Sequence, residues 1–280
     1  MDPKYNPPHW WPKQAKVSPP KPIDGTQITI LGCGTSTGVP VLACKCSVCR
    51  SKNPRNKRLR ASVTIQAGNK TFLIDTAPDL REQAFRSKLH WIDAVLFTHP
   101  HADHIHGVDE LRSYNYLMAE RIACYGNKWT IDSLTSKFDY IFKPGQEGGG
   151  RPMLDVHTIS NLTKAFRIGG VKVQPLELLH GRLPVLGYRI NDIAYITDCS
   201  YIPDRTLRYL KNLSVLVLDC LRPQAHPTHL NVESSLALAK KIGARKTYFT
   251  HMGHEIEYAK FSKSLPRNMY PAYDGLVVRA

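Results

Sequence analysis

Apolar and polar positions along this 280-residue chain fall into short blocks with two different periods. Runs at 27–31, 61–66, 71–74 and 94–97 have the length and β-branched content of strands, and alternation in 61–66 and 71–74 joins those two as a hairpin through Gly68-Asn69. Further runs at 171–179, 193–197, 215–218 and 246–250 read as strands in the second half. Stretches with the helical period predict helices at 79–87, 109–119, 203–211 and 233–243, with Asp79 as a candidate cap of the first. Strands alternating with helices predict an α/β layered fold. Residues 120–165 show no clear period. The glycine-rich stretch 145–150 within them reads as a surface connection rather than a lid.

Residues 1–26 differ in kind. Pro3, Pro7, Pro8, Pro12, Pro19, Pro20 and Pro22, with lysines between them, exclude a helix or a central strand. They predict an extended arm ahead of one domain spanning 27–280. Trp10 and Trp11 suggest that the arm packs on the domain or on a second subunit. The stretch Gly32-Cys33-Gly34-Thr35-Ser36-Thr37-Gly38 has the wrong spacing for a dinucleotide loop, and Val39-Pro40 follows where a helix should start. Its glycines read as room for backbone passing close to a metal centre.

The strand pattern carries a second regularity, because strand after strand ends in Asp or His: Asp75, His99, His180, Asp198, Asp219 and His251. A rigid sheet can aim several such side chains at one point. The densest stretch is His99-Pro100-His101-Ala102-Asp103-His104. Alternate residues project to one side, so His99 and His101 can share an ion, with His180 as third nitrogen donor. Asp103 and His104, being adjacent, diverge and suit a second ion, with His251 as their companion. Asp198 has two carboxylate oxygens and can bridge the pair. Two such ions lower the pKa of a shared water and clamp a phosphoryl or carbonyl group, so a bridging hydroxide serves as nucleophile and no Ser or Cys is needed. Asp103 belongs to that catalytic core. Asp75 reads as an orienting residue behind the ligands, and Asp219 as a structural hydrogen-bond acceptor or helix cap.

Charge and cysteine usage add two constraints. Lys plus Arg is 38 against 23 for Asp plus Glu, a net charge of +15, which favours anionic partners without choosing among them. Arg222, Arg58, Arg60 and Arg112 are candidate phosphate contacts, since the guanidinium fork matches phosphate oxygens. Of seven cysteines, Cys44, Cys46 and Cys49 form one tight cluster; an odd count with one cluster suggests a metal site in a reducing compartment rather than a disulfide framework. No apolar stretch has membrane-spanning length and no signal-peptide core is present, so a cytoplasmic protein that does not enter membranes is expected.

The ordered set Asp75, His99-x-His101-x-Asp103-His104, His180, Asp198 and His251 resembles the metallo-β-lactamase superfamily. The resemblance implies an αββα sandwich, two mixed β-sheets flanked by helices, with a dinuclear site between them. Cys44-x-Cys46-x-x-Cys49 together with His251-Met252-Gly253-His254 resembles the PhnP-like phosphodiesterase branch of that superfamily. There the three cysteines and the last histidine hold a structural zinc, which maps here onto Cys44, Cys46, Cys49 and His254. His229, in Thr228-His229-Leu230-Asn231, matches a position thought to assist phosphodiester cleavage. The expected activity is metal-dependent hydrolysis of a small, cyclic or open phosphodiester, with two divalent ions at the active site (zinc or manganese, with iron also compatible) and one structural zinc. Dimerisation is an expectation from the resemblance alone. An RNA-processing endonuclease of the same superfamily is the alternative that +15 supports, but no projecting RNA-gripping arm is visible. Ala77-Pro78-Asp79-Leu80-Arg81 resembles a branch that assists cofactor synthesis without catalysis; its histidine motifs are eroded, whereas this chain keeps every ligand.

Overall fold

A computed structural model of the chain describes residues 17–143 and 150–280. The predicted arm therefore lies largely outside the described residues, as do Trp10, Trp11 and all but Gly150 of the glycine-rich stretch. Residues 17–25 run without regular structure along the first hairpin, where the Ile23 N–H donates to Gly68 O and Gln66 Nε2 donates to Lys21 O.

Fourteen strands among the described residues form two sheets of seven. The first half supplies β1 (Thr26–Gly32), β2 (Ser62–Ala67), β3 (Lys70–Ile74), α1 (Leu80–Ser87), β4 (Ala94–Leu96), α2 (Ala102–Ile105), α3 (Leu111–Met118), β5 (Ile122–Gly126), α4 (Lys128–Lys137), α5 (Asp139–Phe142) and β6 (Leu154–Thr158). The second supplies β7 (Phe166–Ile168), β8 (Val171–His180), β9 (Leu183–Ile190), β10 (Ile193–Ile196), α6 (Asp204–Leu207), β11 (Val215–Asp219), α7 (Val232–Ile242), β12 (Lys246–Thr250), α8 (Tyr258–Ser264), β13 (Met269–Pro271) and β14 (Val277–Arg279). The sheet orders are β14-β1-β2-β3-β4-β5-β6 and β13-β12-β11-β10-β9-β8-β7. Each sheet is mixed: an antiparallel stretch (β1-β2-β3, β7-β8-β9-β10) leads into a parallel one (β3-β4-β5-β6, β10-β11-β12-β13).

Side-chain alternation builds the layers. On β3 and β4, Phe72, Ile74, Ala94 and Leu96 face the core between the sheets, while Leu73 and Val95 face the helices α1 and α3 on the outside. All five residues of β11 are buried, as a strand covered on both faces requires. The result is the expected αββα sandwich. In 120–165, the stretch without a clear period, short elements (α4, α5, β5, β6) divide the apolar positions too finely for a window to detect. Asp79 stands at the start of α1 but does not cap it; its carboxylate reaches across to the Arg60 N–H and guanidinium instead. Helices expected at 109–119 and 203–211 begin or end in 3-10 turns, Val108–Glu110 and Arg208–Leu210.

Gly32 and its neighbours do give backbone room, and the stretch runs beside a candidate ligand: Gly34 bridges Met252, whose N–H donates to Cys33 O, next to His251. A Cβ on Gly32 would stand 2.1 Å from Arg60 O, so the glycine lets β1 pass against the 58–60 segment.

Candidate metal centre

Parallel strands place their carboxyl ends along one edge, and the loops there carry the candidate ligands. Asp75 follows β3, His99–His104 follow β4, Asp198 follows β10, Asp219 closes β11 and His251 follows β12. His180 sits where β8 turns into β9. Three of these residues adopt left-handed backbone without being glycine: Asp75 (φ 63°), Asp198 (φ 48°) and His251 (φ 59°). Such a conformation is costly for a side-chain-bearing residue, and here it turns the chain sharply at the strand end so that the side chain faces the gap between the sheets. The sheets are tied across that gap by Leu186 N–H donating to Thr98 O and Tyr188 Oη donating to Phe97 O.

The donors gather in two groups, His99 with His101 and His180, and Asp103 with His104, Asp198 and His251; within each, the ligand atoms all lie within 4.8 Å of one another. Asp198 reaches both. Its Oδ2 is 3.7 Å from His99 Nε2, and its Oδ1 is 3.2 Å from both His104 Nε2 and His251 Nε2. Asp103 Oδ2 lies 3.1 Å from His104 Nε2 and 3.6 Å from His251 Nε2. Although adjacent in sequence, Asp103 and His104 converge rather than diverge, because both stand on the single turn of α2.

Three of the cluster imidazoles have the nitrogen that faces away from the cluster hydrogen-bonded. His99 Nδ1 donates to Thr98 Oγ1 at 3.0 Å, whose hydroxyl donates to Asp75 at 2.8 Å. His104 Nδ1 donates to Asp75 Oδ2 at 2.7 Å, and His180 Nδ1 to Thr228 O at 2.8 Å. His251 Nδ1 and His229 Nδ1 stand 3.7 and 3.3 Å from the two oxygens of Asp219, close enough for charge attraction but without a hydrogen bond. For His99, His104 and His180 the hydrogen bond fixes which nitrogen keeps a free lone pair and points it at the cluster. Asp75 thus occupies the orienting position expected of it, and Asp219 accepts main-chain N–H groups from Cys199 and Leu230 as well. Sequence reasoning missed Thr98 and Thr228; a threonine hydroxyl and a main-chain carbonyl carry no sequence signal for such a task. It also missed Trp129, whose ring meets His101 edge-on at 6.3 Å.

The residues fit divalent ions. Nε2 of His104 and of His251 is buried with no hydrogen-bond partner, an expensive arrangement unless a cation takes the lone pair. Separations of 3.0–3.7 Å between facing donors are the edge lengths expected around an ion with bonds of about 2.0–2.2 Å. Charge agrees. Burial lowers the pKa of His99, His101 and His180, leaving neutral donors. For Asp198 burial acts upward, but the imidazoles of His251, His104 and His99 outweigh it and hold the carboxyl well below its usual range. Burial acts downward on His251, yet Asp198, Asp103 and Asp219 push it up to about 9. The carboxylates therefore demand positive charge here, and an entering cation replaces protons in supplying it.

A second cluster lies near the surface. His254 Nδ1 stands 3.3, 3.6 and 3.5 Å from Sγ of Cys44, Cys46 and Cys49. A tetrahedral zinc with three sulfur ligands and one nitrogen has an N–S edge of about 3.6 Å, so this cluster fits zinc too. Main-chain N–H donation from Cys49 lowers the Cys46 thiol to about 6, while burial raises Cys49 to about 11.

The candidate arginines separate. Arg58 is only 2% exposed, and its guanidinium donates to Gly253 O and Ile256 O; it has no surface on which to meet phosphate, because the loop carbonyls use its fork. Arg60 pairs with Asp79, and Arg112 with Asp109. Arg222 has a buried Nε without a partner and lies on the loop that carries His226 and His229, whose rings are 5.1 Å apart. His106 is exposed and meets Phe138 edge-on, away from the donors.

Known proteins are similar to this chain in sequence and fold. Residues 70–252 match the family model described as beta-lactamase superfamily domain. A crystal structure described as a new diphosphatase from the PhnP family is 38% identical, covering 92% of this chain and 98% of that one, with a TM-score of 0.86. Zinc-bound PqqB from Methylobacterium extorquens, 19% identical over 91% of this chain and 100% of its own with a TM-score of 0.75, shares the fold. A protein of Porphyromonas gingivalis named octanoyltransferase is 36% identical over 88% of this chain, which spans about half (50%) of that relative's length.

Proposed function

The chain belongs to the metallo-beta-lactamase superfamily and, within it, to the PhnP family, and from that premise we propose that it is a phosphodiesterase acting on a small phosphorylated compound, cyclic or open. The observation that carries this reading is the Asp198 carboxylate, whose two oxygens face separate donor sets. When bound, a pair of divalent ions there supplies an activated water and polarises a phosphoryl oxygen. Zinc suits the nitrogen-rich donors, and manganese or iron is compatible with the carboxylates.

The chain's own residues do the rest. Asp75 and Thr98 keep His99 and His104 in one tautomer; Asp103 and Asp198 hold negative charge at the centre of the cluster. His229, its side chain 10% exposed, has Nδ1 backed by Asp219 and Nε2 3.9 Å from Asp198 Oδ2. That geometry suits it to give a proton to the departing oxygen. Arg222 is the one arginine of the four retained as a phosphate contact. Because the PhnP-family neighbour is a diphosphatase, small diphosphates belong in the same substrate screen.

Acyl transfer, which the name of the Porphyromonas relative raises, finds no support at this site. Among the described residues, the cysteines outside the cluster (Cys33, Cys124, Cys199, Cys220) are buried, and burial raises each thiol, so none is a ready nucleophile. RNA cleavage rests on net charge alone. Unpaired cysteines fit a cytoplasmic setting, and among the described residues no helix is long and apolar enough to cross a membrane.

The test is turnover of bis-p-nitrophenyl phosphate with zinc and manganese supplied separately, alongside metal analysis. The parent should hydrolyse the diester, and Asp103→Ala should fold but not. A metal-loaded parent inert toward diesters and diphosphates would overturn the proposal.

A further inference from the structure

The segment from His251 to Glu257 contains a candidate ligand of each cluster, His251 and His254. Main-chain bonds of Met252 to Cys33 and Thr35, and of Gly253 N–H to Leu221 O, hold its start, and two side chains from elsewhere, Arg58 and Asn56, grip the rest. Arg58 donates from Nη1 to Gly253 O at 2.9 Å and from Nη2 to Ile256 O at 2.7 Å, so its fork spans the turn around His254. The same Nη2 reaches Asn56 Oδ1 at 3.3 Å. Asn56 donates to Glu257 at 2.7 Å and accepts the Tyr258 N–H at 2.8 Å, which fixes the far end of the segment.

Arg58 is equally well anchored on the cysteine side. Its main chain exchanges both hydrogen bonds with Val39, at 2.7 and 2.9 Å. Val39 packs with Val48 and Cys49 in the small apolar cluster under the cysteine loop, and Lys57 Nζ donates to Cys49 O. A contiguous route therefore runs from the cysteines through Val39 and Arg58 to the carbonyl two residues beyond His251. Burying a guanidinium with no carboxylate in hydrogen-bond contact is costly, and an apolar side chain of similar volume often serves packing as well. The charge is spent on two main-chain carbonyls.

Resting on the hydrolase reading above, we propose that Arg58 is a positioning residue that makes the placing of His251 at the hydrolytic centre depend on the order of the cysteine–histidine cluster. A disordered cysteine loop loosens Val39 and Arg58, frees the Gly253 carbonyl and lets His251 leave the left-handed conformation that aims Nε2 at Asp103 and Asp198. The ion held by His99, His101 and His180 is untouched, since no part of that route reaches them.

The experiment counts ions rather than turnover. Cation-free parent and Arg58→Met are titrated with zinc by calorimetry, with protection of the cysteines from a thiol reagent read in parallel and His251→Ala used to assign the step that involves His251. Arg58→Met should keep its cysteine protection and bind the His251-dependent ion at least tenfold more weakly, with the other active-site ion at parent affinity. Parent-like affinity for both ions overturns the proposal, as does equal weakening of both. Should Arg58→Met fail to fold, Arg58→Lys, with one donor group instead of a fork, decides: a smaller loss confined to the same ion supports the proposal, and parent affinity overturns it. Cys46→Ala should weaken the His251-dependent ion in the parent and add nothing in the Arg58→Met background; additive losses mean that Arg58 is not on the route. An inert parent protein would sink the phosphodiesterase reading and leave these titrations fully decisive.

Discussion

The two donor clusters approach within three residues of each other, at His251 and His254, yet they are built in opposite ways. The histidine–carboxylate cluster stands on strand ends and on one helical turn, is mostly buried, and has hydrogen-bond partners behind His99, His104 and His180: Thr98, Asp75 and the Thr228 carbonyl. The cysteine cluster sits on irregular backbone over a patch of three buried apolar residues, Val39, Val48 and Cys49, and its sulfurs meet mainly each other, His254 and a few loop N–H groups. In the first case the fold makes the site and an ion completes it. In the second, a bound ion would do much of the ordering of the loop.

Removing Asp198 tests the first half of that contrast and should have the largest effect. Asp198→Ala deletes the carboxylate common to both donor sets, and hydrolysis of bis-p-nitrophenyl phosphate should fall about a thousandfold or more, with one active-site ion or fewer retained. Secondary structure measured by circular dichroism should stay at the parent level, because the strands do not depend on the ions. A variant that unfolds instead would mean that the active centre resembles the cysteine loop after all. Removing Cys46 tests the second half. Cys46→Ala should lose one zinc and about 4 kcal/mol of stability where free zinc is roughly a thousand times its dissociation constant. Denaturant melts in the presence and absence of a chelator check this: both proteins lose the contribution of the active-site ions, and the parent should lose about 4 kcal/mol more than the variant.

His229 sharpens the comparison within the active centre, because it is backed by the same Asp219 as His251 but is proposed to move a proton rather than to hold metal. His229→Gln should lower kcat about a hundredfold while KM and metal content stay at the parent values. Loss of an ion would instead move His229 into the donor set, with His180 and Asp198, which its position also permits.

The same contrast explains what was legible in the sequence. The strand-end ligands could be read because a strand announces itself by its apolar run and the residue that closes it stands out: His99, Asp198 and His251 are of this kind. Such runs, alternating with helical stretches, predict a layered α/β fold, and the resemblance to the metallo-β-lactamase superfamily is what implies the sandwich. Asp103 and His104, as neighbours in extended chain, are expected to diverge; they converge because both lie on the helical turn of α2. Arg58 reads as a phosphate contact because it sits in a basic run with Arg55, Lys57 and Arg60, but it is 2% exposed, which nothing in such a run announces. The carbonyl behind His180 left no trace at all, for main-chain acceptors are the same at every residue.

Asp274 gives the smallest effect and probes the ground between the clusters. Its carboxylate accepts the N–H groups of Cys33 and Leu59, pinning the end of β1 beside the segment that carries Arg58. Burial dominates those hydrogen bonds and raises its pKa from 3.8 to about 6, opposite in direction to Asp103 and Asp198, which sit among imidazoles. A raised folded-state pKa means that the unfolded chain releases the proton first as pH climbs. The stability associated with protonated Asp274 is therefore complete below about pH 4 and is lost by about pH 6. In cation-free protein the parent should lose about 1–2 kcal/mol more than Asp274→Asn across that window, less than the full shift implies because water reaches the half-buried carboxylate. Urea melts of the two proteins at pH 4 and pH 6.5 measure the difference. A parent that gains stability over the variant as pH rises would show that the Cys33 and Leu59 N–H groups outweigh burial, and that the join between the clusters is held by charge.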